Sequence, residues 1–230
     1  MSGVEKSPDR LLDEQVAYFG ARAPEYDATM GPDPSDPGFD EWHKLRAKVR
    51  DTPFAGDVVD LAAGTGRWTE LFKEKADTVT LVDAASETLE LARKRLGDQN
   101  LTFVVADLFD WKPDRRYDIV FSSFWLCHVP PDLVPGFVDL VTSASRAGGS
   151  AVLVDEHTFD DPGLAAAAAQ QEDPWVSHRT VQDGRRYRLV KVSHDPAHIA
   201  GLFQQRRWQT TINHHGDHFY MLTATRQTEY

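Results

Sequence analysis

Between residues 57 and 156, short β-branched runs alternate with helix-forming stretches, and no other feature restricts the fold of this chain as tightly. The runs are DVVDLA, TVTLVD, LTFVVAD, YDIVFSS and GGSAVLVDE; a helical stretch is expected after the first, and SETLELARKRL and LVPGFVDLVTSAS follow later strands. Parallel strands need crossover connections, so the rhythm predicts βαβ units. The fold class is α/β: a Rossmann-like, doubly wound, mostly parallel seven-stranded sheet with helices on both faces. At 230 residues the chain can bury one sizeable core, and residues 1–230 are read as a single domain.

The flanking segments elaborate that unit. Leu11, Leu12, Val16 and Phe19 are spaced for a helix over residues 10–22, which Pro24 should stop. GPDPSDPG is a loop, and a second helix runs through Trp42, Leu45 and Val49 before Pro53. After Glu156 the rhythm breaks: LAAAAAQQE is a strong helix former, and WVSHRTVQ and RRYRLVKV flank Asp183-Gly184, a hairpin signal. Residues 157–193 are therefore read as a cap of helix and β-hairpin inserted after the fifth strand. A helix near 195–206 and the strands WQTTINH and HFYMLTATR close the chain, the last strand antiparallel. This divides the domain into 1–53, an N-terminal helical lid; 54–156, the ligand-binding core; the cap; and 194–230, the closing segment.

Charge and cysteine content narrow the partners. A net charge of −11 repels phosphate backbones, which argues against nucleic acid and for small molecules. No apolar stretch approaches the roughly 18 residues of a membrane helix, the N-terminus lacks a secretory pattern, and Cys127 is the only cysteine. A cytoplasmic location is expected. No feature of the sequence bears on oligomeric state.

VVDLAAGTGRWTEL, residues 58–71, places a glycine loop at the carboxyl end of the first strand, where doubly wound sheets bind ligands. A nucleoside triphosphate loop needs a lysine and a hydroxyl after its last glycine, and neither is present. A dinucleotide loop wants a third small residue where this chain has Thr69 after bulky Trp68, which weakens that reading. S-adenosylmethionine, which lacks phosphate, needs close backbone approach and carboxylates for its ammonium and ribose. Asp60 suits the cationic amino acid end. Asp83, nineteen residues after Gly64, suits the ribose hydroxyls, although dinucleotide enzymes also use an acid there. Asp107 and the Leu108 backbone suit the adenine, and a carbonyl at Ser122 or Ser123 would face the ammonium.

Taken together, AAGTG, the acid at Asp83, ADLFDW and YDIVFSSFWLCHVP resemble the class I S-adenosylmethionine-dependent methyltransferases over about residues 54–156. The resemblance implies S-adenosylmethionine as cofactor, held by Asp60, Ala62, Gly64, Gly66, Asp83, Ala84, Asp107, Leu108 and Ser123. Ala62 departs from the first glycine of a GxGxG loop. YFGARAPEYDAT, DLFDWKPDRRYDIVFSSFWLCHVPPD and RTVQDGRRYRLVKV also resemble the phosphonate O-methyltransferases of dehydrophos biosynthesis over nearly the whole length. That likeness implies that Tyr26, Arg179 and Lys191 contact an acidic group of the methyl acceptor, and that the product is an O-methyl ester of a small acidic metabolite, a phosphonate first.

Each of these residues also has a plainer reading. Arg179, Arg185, Arg186, Arg188 and Lys191 fall within thirteen residues, and a solvated edge hairpin would account for them. His128 could take a proton in catalysis or simply form part of the wall; Trp125 is read as pocket wall. In His214-His215-Gly216-Asp217-His218, alternation sends adjacent histidines to opposite faces, so no metal site is expected. A carboxylate, phenol or amine acceptor, a nicotinamide oxidoreductase and a non-catalytic S-adenosylmethionine sensor are the competing functions.

Overall fold

A computed structural model describes residues 8–157 and 175–228. Seven strands form the main sheet: β1 (Asp57–Leu61), β2 (Thr78–Asp83), β3 (Leu101–Val105), β4 (Tyr117–Ser123), β5 (Ser145–Glu156), β8 (Trp208–His215) and β9 (Phe219–Arg226), in the order β3-β2-β1-β4-β5-β9-β8. β1 pairs in parallel with both β2 and β4, whereas β9 lies antiparallel between β5 and β8. β6 (Val176–Thr180) and β7 (Arg186–Val190) form a separate antiparallel hairpin, the expected cap strands. The alanine run expected to be helical lies outside the described residues.

The period-two pattern of the strands divides the core between the two faces of the sheet. Val59, Leu61, Val82 and Val120 pack with Phe137 and Val141 of α4 (Val134–Ala144) and Phe203 of α5 (Pro196–Gln204). Val58, Leu81, Ile119 and Phe121 pack with Trp42 and Leu45 of α2 (Phe39–Asp51) and Leu89 and Ala92 of α3 (Ser86–Leu96). Tyr18 of α1 (Pro8–Thr29) packs instead on Val181 and Leu189 of the hairpin. No helix among the described residues is long and apolar enough to cross a membrane.

Two expectations are corrected. Pro24 does not end the first helix, which continues to Thr29. Its last turn is held from outside: the Asp27 carboxylate accepts from Thr65 Oγ1 at 2.7 Å, and Arg67 donates to the Asp27 carbonyl at 2.8 Å. These bonds offset the one that proline cannot donate. The helix expected after β1 is a single 3₁₀ turn, Thr69–Leu71. The chain must reach β2 by Thr78, and the turn buries Trp68, Thr69 and Phe72 at once, which a one-sided amphipathic helix would not do.

The chain leaves β1 toward β2 and β3 on one side and continues from β4 to β5 on the other. The carboxyl ends of β1 and β4 therefore flank the point where strand order reverses, the usual crevice for a ligand. Beneath it, the rings of Phe54 and Phe72 stack with centroids 4.0 Å apart, and Phe72 meets Phe121 edge-on at 5.0 Å. Phe72→Ala is expected to lower the unfolding free energy by about 3–5 kcal/mol. Val105→Ala, at a position 60% exposed on the edge strand, should change it by less than about 0.5 kcal/mol. Urea unfolding of both variants measures the contrast.

Candidate functional site

At the carboxyl end of β1 the chain turns sharply. Ala62 (φ 58°), Gly64 (φ 54°) and Gly66 (φ 75°) adopt left-handed conformations, and across the crevice Phe124, just after β4, does the same (φ 53°). For a residue with a side chain this conformation costs about 1–2 kcal/mol, and such strain collects at binding sites. A Cβ on Gly64 would meet nothing within 4 Å, so its backbone faces open space; a Cβ on Gly66 would sit 2.8 Å from Leu96 Cδ1. Gly64 thus exposes the loop to a ligand, and Gly66 lets it close on α3.

Carboxylates hold this loop. Asp83 accepts from the Gly64 N–H at 2.8 Å through one oxygen and from the Ala85 N–H at 2.9 Å through the other, joining the ends of β1 and β2. Burial raises its pKa. Asp60 is fully buried under the loop; one oxygen accepts from Thr69 Oγ1 at 2.5 Å and the other has no partner among the described residues. Burial, reinforced by Asp83 against the Thr69 bond, pushes Asp60 up to about 7. Asp107 accepts from the Phe109 N–H at 2.9 Å, bending the chain after β3.

Above these residues lies a cleft. Ala62, Gly64, Asp83, Ala84, Asp107, Leu108, Ser123, Trp125 and His128 line its floor and sides, and α1 supplies a wall through Val16, Phe19 and Tyr26. A smaller cavity on the far side of Tyr26 shares Ala62, Gly64 and Ser123 with it. Of the residues expected to bind cofactor, Asp60 and Gly66 line neither cavity, the first because it sits beneath the loop and the second because it packs against α3. The unpartnered, buried Asp60 oxygen is what a cationic ammonium would complement, directly or through water, and the open backbone at Gly64 admits close approach. The residues present fit S-adenosylmethionine.

At the other end, Tyr26 and His128 face the cleft, whereas Arg179 and Lys191 do not line it. Lys191 is instead drawn to the Glu156 carboxylate. Burial works against its charge, but Cys127, Glu156 and Asp155 around it raise its pKa. Cys127, Asp155 and Glu156 offer ligand atoms within 4.8 Å of one another, and the Lys191 ammonium supplies the cation there. Burial pushes the Cys127 thiol up and carries Asp155 to about 7. Arg179 pairs across the hairpin with Tyr187, so it lies on the face opposite Arg186 and Arg188. Arg188 is committed to Glu14 of α1, with Nε 2.9 Å from the carboxylate, and Arg185 to Asp183. In the histidine-rich turn His214 bonds His157 at 2.8 Å and His218 bonds Glu41 at 2.7 Å.

Sequence reasoning missed Gln15 and Arg22. Gln15 is buried 113 residues from its partner: its amide donates to the His128 carbonyl at 3.1 Å and accepts from the Val190 N–H at 3.0 Å, joining α1, the segment after β4 and β7. Arg22 stacks on the Tyr26 ring at 4.9 Å and donates to Tyr18 Oη and Thr29 Oγ1. Its position one turn before Tyr26 was the only sequence signal. Trp125 Nε1 is buried without a partner.

A methyltransferase domain family matches residues 58–149. Among solved structures, a complex of DhpI with SAM and HEP is 35% identical, with TM-score 0.78, covering 93% of this chain and 97% of that one. The chain belongs to the S-adenosylmethionine-dependent methyltransferases. DhpI with SAH is 33% identical with TM-score 0.80, covering 97% of this chain and all of the other. A trans-aconitate 2-methyltransferase of Rhizobium rhizogenes (strain K84 / ATCC BAA-868) is 27% identical over 163 residues, which make up 68% of this chain and 61% of that protein. The enzyme is thus a methyltransferase, and its cofactor, S-adenosylmethionine, supplies an electrophilic methyl group on a sulfonium. Gly64, Asp83 and Asp107 line the cleft, and Asp60 lies beneath the loop.

Asp60→Asn is expected to weaken cofactor binding roughly 10- to 150-fold, the value of a hydrogen bond to a charged group, measured by calorimetric titration. Because burial raises Asp60, the stability it gives the free protein is present at low pH and lost as pH rises toward about 7. The melting temperature of Asp60→Asn relative to the parent should therefore rise between about pH 5 and pH 8. A flat difference would argue against an ionising, unpartnered Asp60.

Proposed function

We propose that the enzyme methylates an oxygen of a small acidic metabolite, with a phosphonate as the leading acceptor. The observation that carries this reading is the 35% identity, over 93% of this chain, to DhpI solved with SAM and HEP, and the surroundings of His128 accord with it. Burial, with the charges of Lys191, Arg179 and Arg22, pushes the imidazole down to about 3 against its bond to Val190, and no carboxylate is among the principal groups acting on it. Arg22, Arg179 and Lys191 thus lie near enough to act on His128, although Arg179 and Lys191 do not line the cleft and Lys191 is already paired with Glu156. Burial holds Tyr26 up at about 12, so its hydroxyl keeps its proton and can donate to an acid oxygen. The similarity to DhpI, solved as a complex with SAM and HEP, and the sequence resemblance to phosphonate O-methyltransferases support the same reading.

In this reading the chain supplies placement rather than a nucleophile. Residues 1–53 close over the site, 54–156 hold the cofactor, and the hairpin of the 157–193 cap brings Arg179 toward the acid. Tyr26 orients the acceptor, Arg179 and Lys191 hold its charge, and α1 excludes water. Such orientation is worth effective molarities of about 10⁵–10⁸ M. Similarity to a trans-aconitate 2-methyltransferase favours a carboxylate as the second candidate.

Incubation with labelled S-adenosylmethionine and a panel of small phosphonates, carboxylates, phenols and amines is the direct test; turnover confined to the neutral members would sink the acidic-acceptor reading. Arg179→Ala should raise the acceptor KM roughly tenfold or more while leaving the cofactor Kd within about twofold, since one charged hydrogen bond contributes about 1.5–3 kcal/mol. Equal effects on both ligands would remove Arg179 from the acceptor site.

A further inference from the structure

His128 is held by contacts from two elements, β7 and α1. Its Nδ1 lies 2.7 Å from the Val190 carbonyl, its own carbonyl receives the Gln15 amide at 3.1 Å, and Phe19 meets the ring edge-on at 5.1 Å. A carbonyl only accepts, so the nitrogen facing it carries the hydrogen. The neutral ring then has its lone pair on Nε2, which has no protein partner among the described residues, and His128 lines the cleft. The charged groups bearing on it are Arg22 from α1, Arg179 from β6 and Lys191 beyond β7, and Tyr26 of α1 lines the same cleft. An Nε2 in this state cannot hold an oxyanion; it can only receive a proton.

We infer that His128 is the proton acceptor of the reaction, taking through Nε2 the hydrogen of an O–H on the methyl acceptor. The acceptor's O–H bond breaks and its proton passes to Nε2, while the freed electron pair on oxygen forms the new O–CH3 bond. The S–CH3 bond breaks with its pair left on sulfur, which becomes a neutral thioether; the imidazolium later releases the proton to water. A hydrogen phosphonate or a hydroxyl supplies such a proton, and a carboxylate at neutral pH does not. The inference rests on the methyltransferase assignment, and it sharpens the acidic-acceptor reading to acids that still carry an O–H.

Two measurements test it. Nitrogen-15 spectra of the histidine rings of the free protein, with His128 assigned by comparison with His128→Gln, should show Nδ1 protonated and Nε2 bare around neutral pH. The opposite tautomer overturns the inference, and this readout needs neither cofactor nor acceptor. The second is the ratio of parent to His128→Gln kcat/KM on a phosphonate acceptor followed against pH. Glutamine can accept a hydrogen bond but not a proton, so the parent should lead by about 10²–10⁴-fold where the acceptor keeps its last proton. That lead should shrink as pH rises through the acceptor's own ionisation. A ratio independent of pH assigns His128 to the wall and overturns the inference. Turnover confined to neutral phenols or amines would remove the acidic-acceptor reading while leaving the tautomer result standing.

Discussion

The carboxylate of Asp83 is the constraint from which the site is built. It ends β2, yet one oxygen is spent on the Gly64 N–H beyond β1 and the other on the Ala85 N–H that opens the approach to α3. A buried acid that gains two backbone hydrogen bonds fixes the positions of both strand ends, because losing either bond leaves a desolvated charge. The left-handed turn at Ala62 and Gly64 is thereby held open over the crevice. Asp60 sits below the turn with an oxygen unsatisfied. Neither feature helps the free protein to fold; each becomes favourable when a cation and a ligand backbone contact are supplied.

The second constraint is the attachment of α1. Its apolar contacts are supplemented by polar links that each reach a different element: Gln15 to the His128 segment and β7, Glu14 to Arg188, and Asp27 to Thr65 and Arg95. The two ends of one helix thus report on opposite ends of the cleft, the cofactor loop at Asp27 and the acceptor side at Gln15. Side-chain hydrogen bonds of this kind are worth about 0.5–1.5 kcal/mol each, so the helix is held by several modest contacts and not by one large one.

What could be read from the sequence follows from range. The strands, α2, α3, α4 and the closing hairpin were legible because a β-branched run or a 3.6-residue apolar repeat is a local pattern. Asp83 and Asp107 were legible because an acid at a strand end faces the crevice of any doubly wound sheet. Pro24 misled because the bonds that carry α1 past it come from Thr65 and Arg67, about forty residues away. Gln15 carried no signal, since a glutamine on a helix is ordinary until both ends of its amide are seen bonded to distant backbone. Ala62 and Phe124 were silent for a related reason: their left-handed backbone is imposed by the packing of β1 against β4, and nothing local to either residue requires it. Lys191 was expected at the acceptor, but a lysine's reach allows several partners, and Glu156 takes it.

The distribution of charge explains why an acidic acceptor and a proton-accepting histidine belong together. Asp83 and Asp107 line the cleft with Asp60 beneath the loop, whereas Arg22, Arg179 and Lys191 act on His128 from outside the residues that line it. Burial is the largest influence that keeps His128 neutral, and the charges of Lys191, Arg179 and Arg22 add to it. On the proposed reading, an anionic acceptor beside the ring would oppose the push of these cations and raise the affinity of the imidazole for a proton. A neutral molecule occupying the same space would leave the cations unbalanced and the histidine unable to charge. On that reading, selectivity for acids would arise in part at the proton-transfer step, because the substrate's own charge favours the protonated ring.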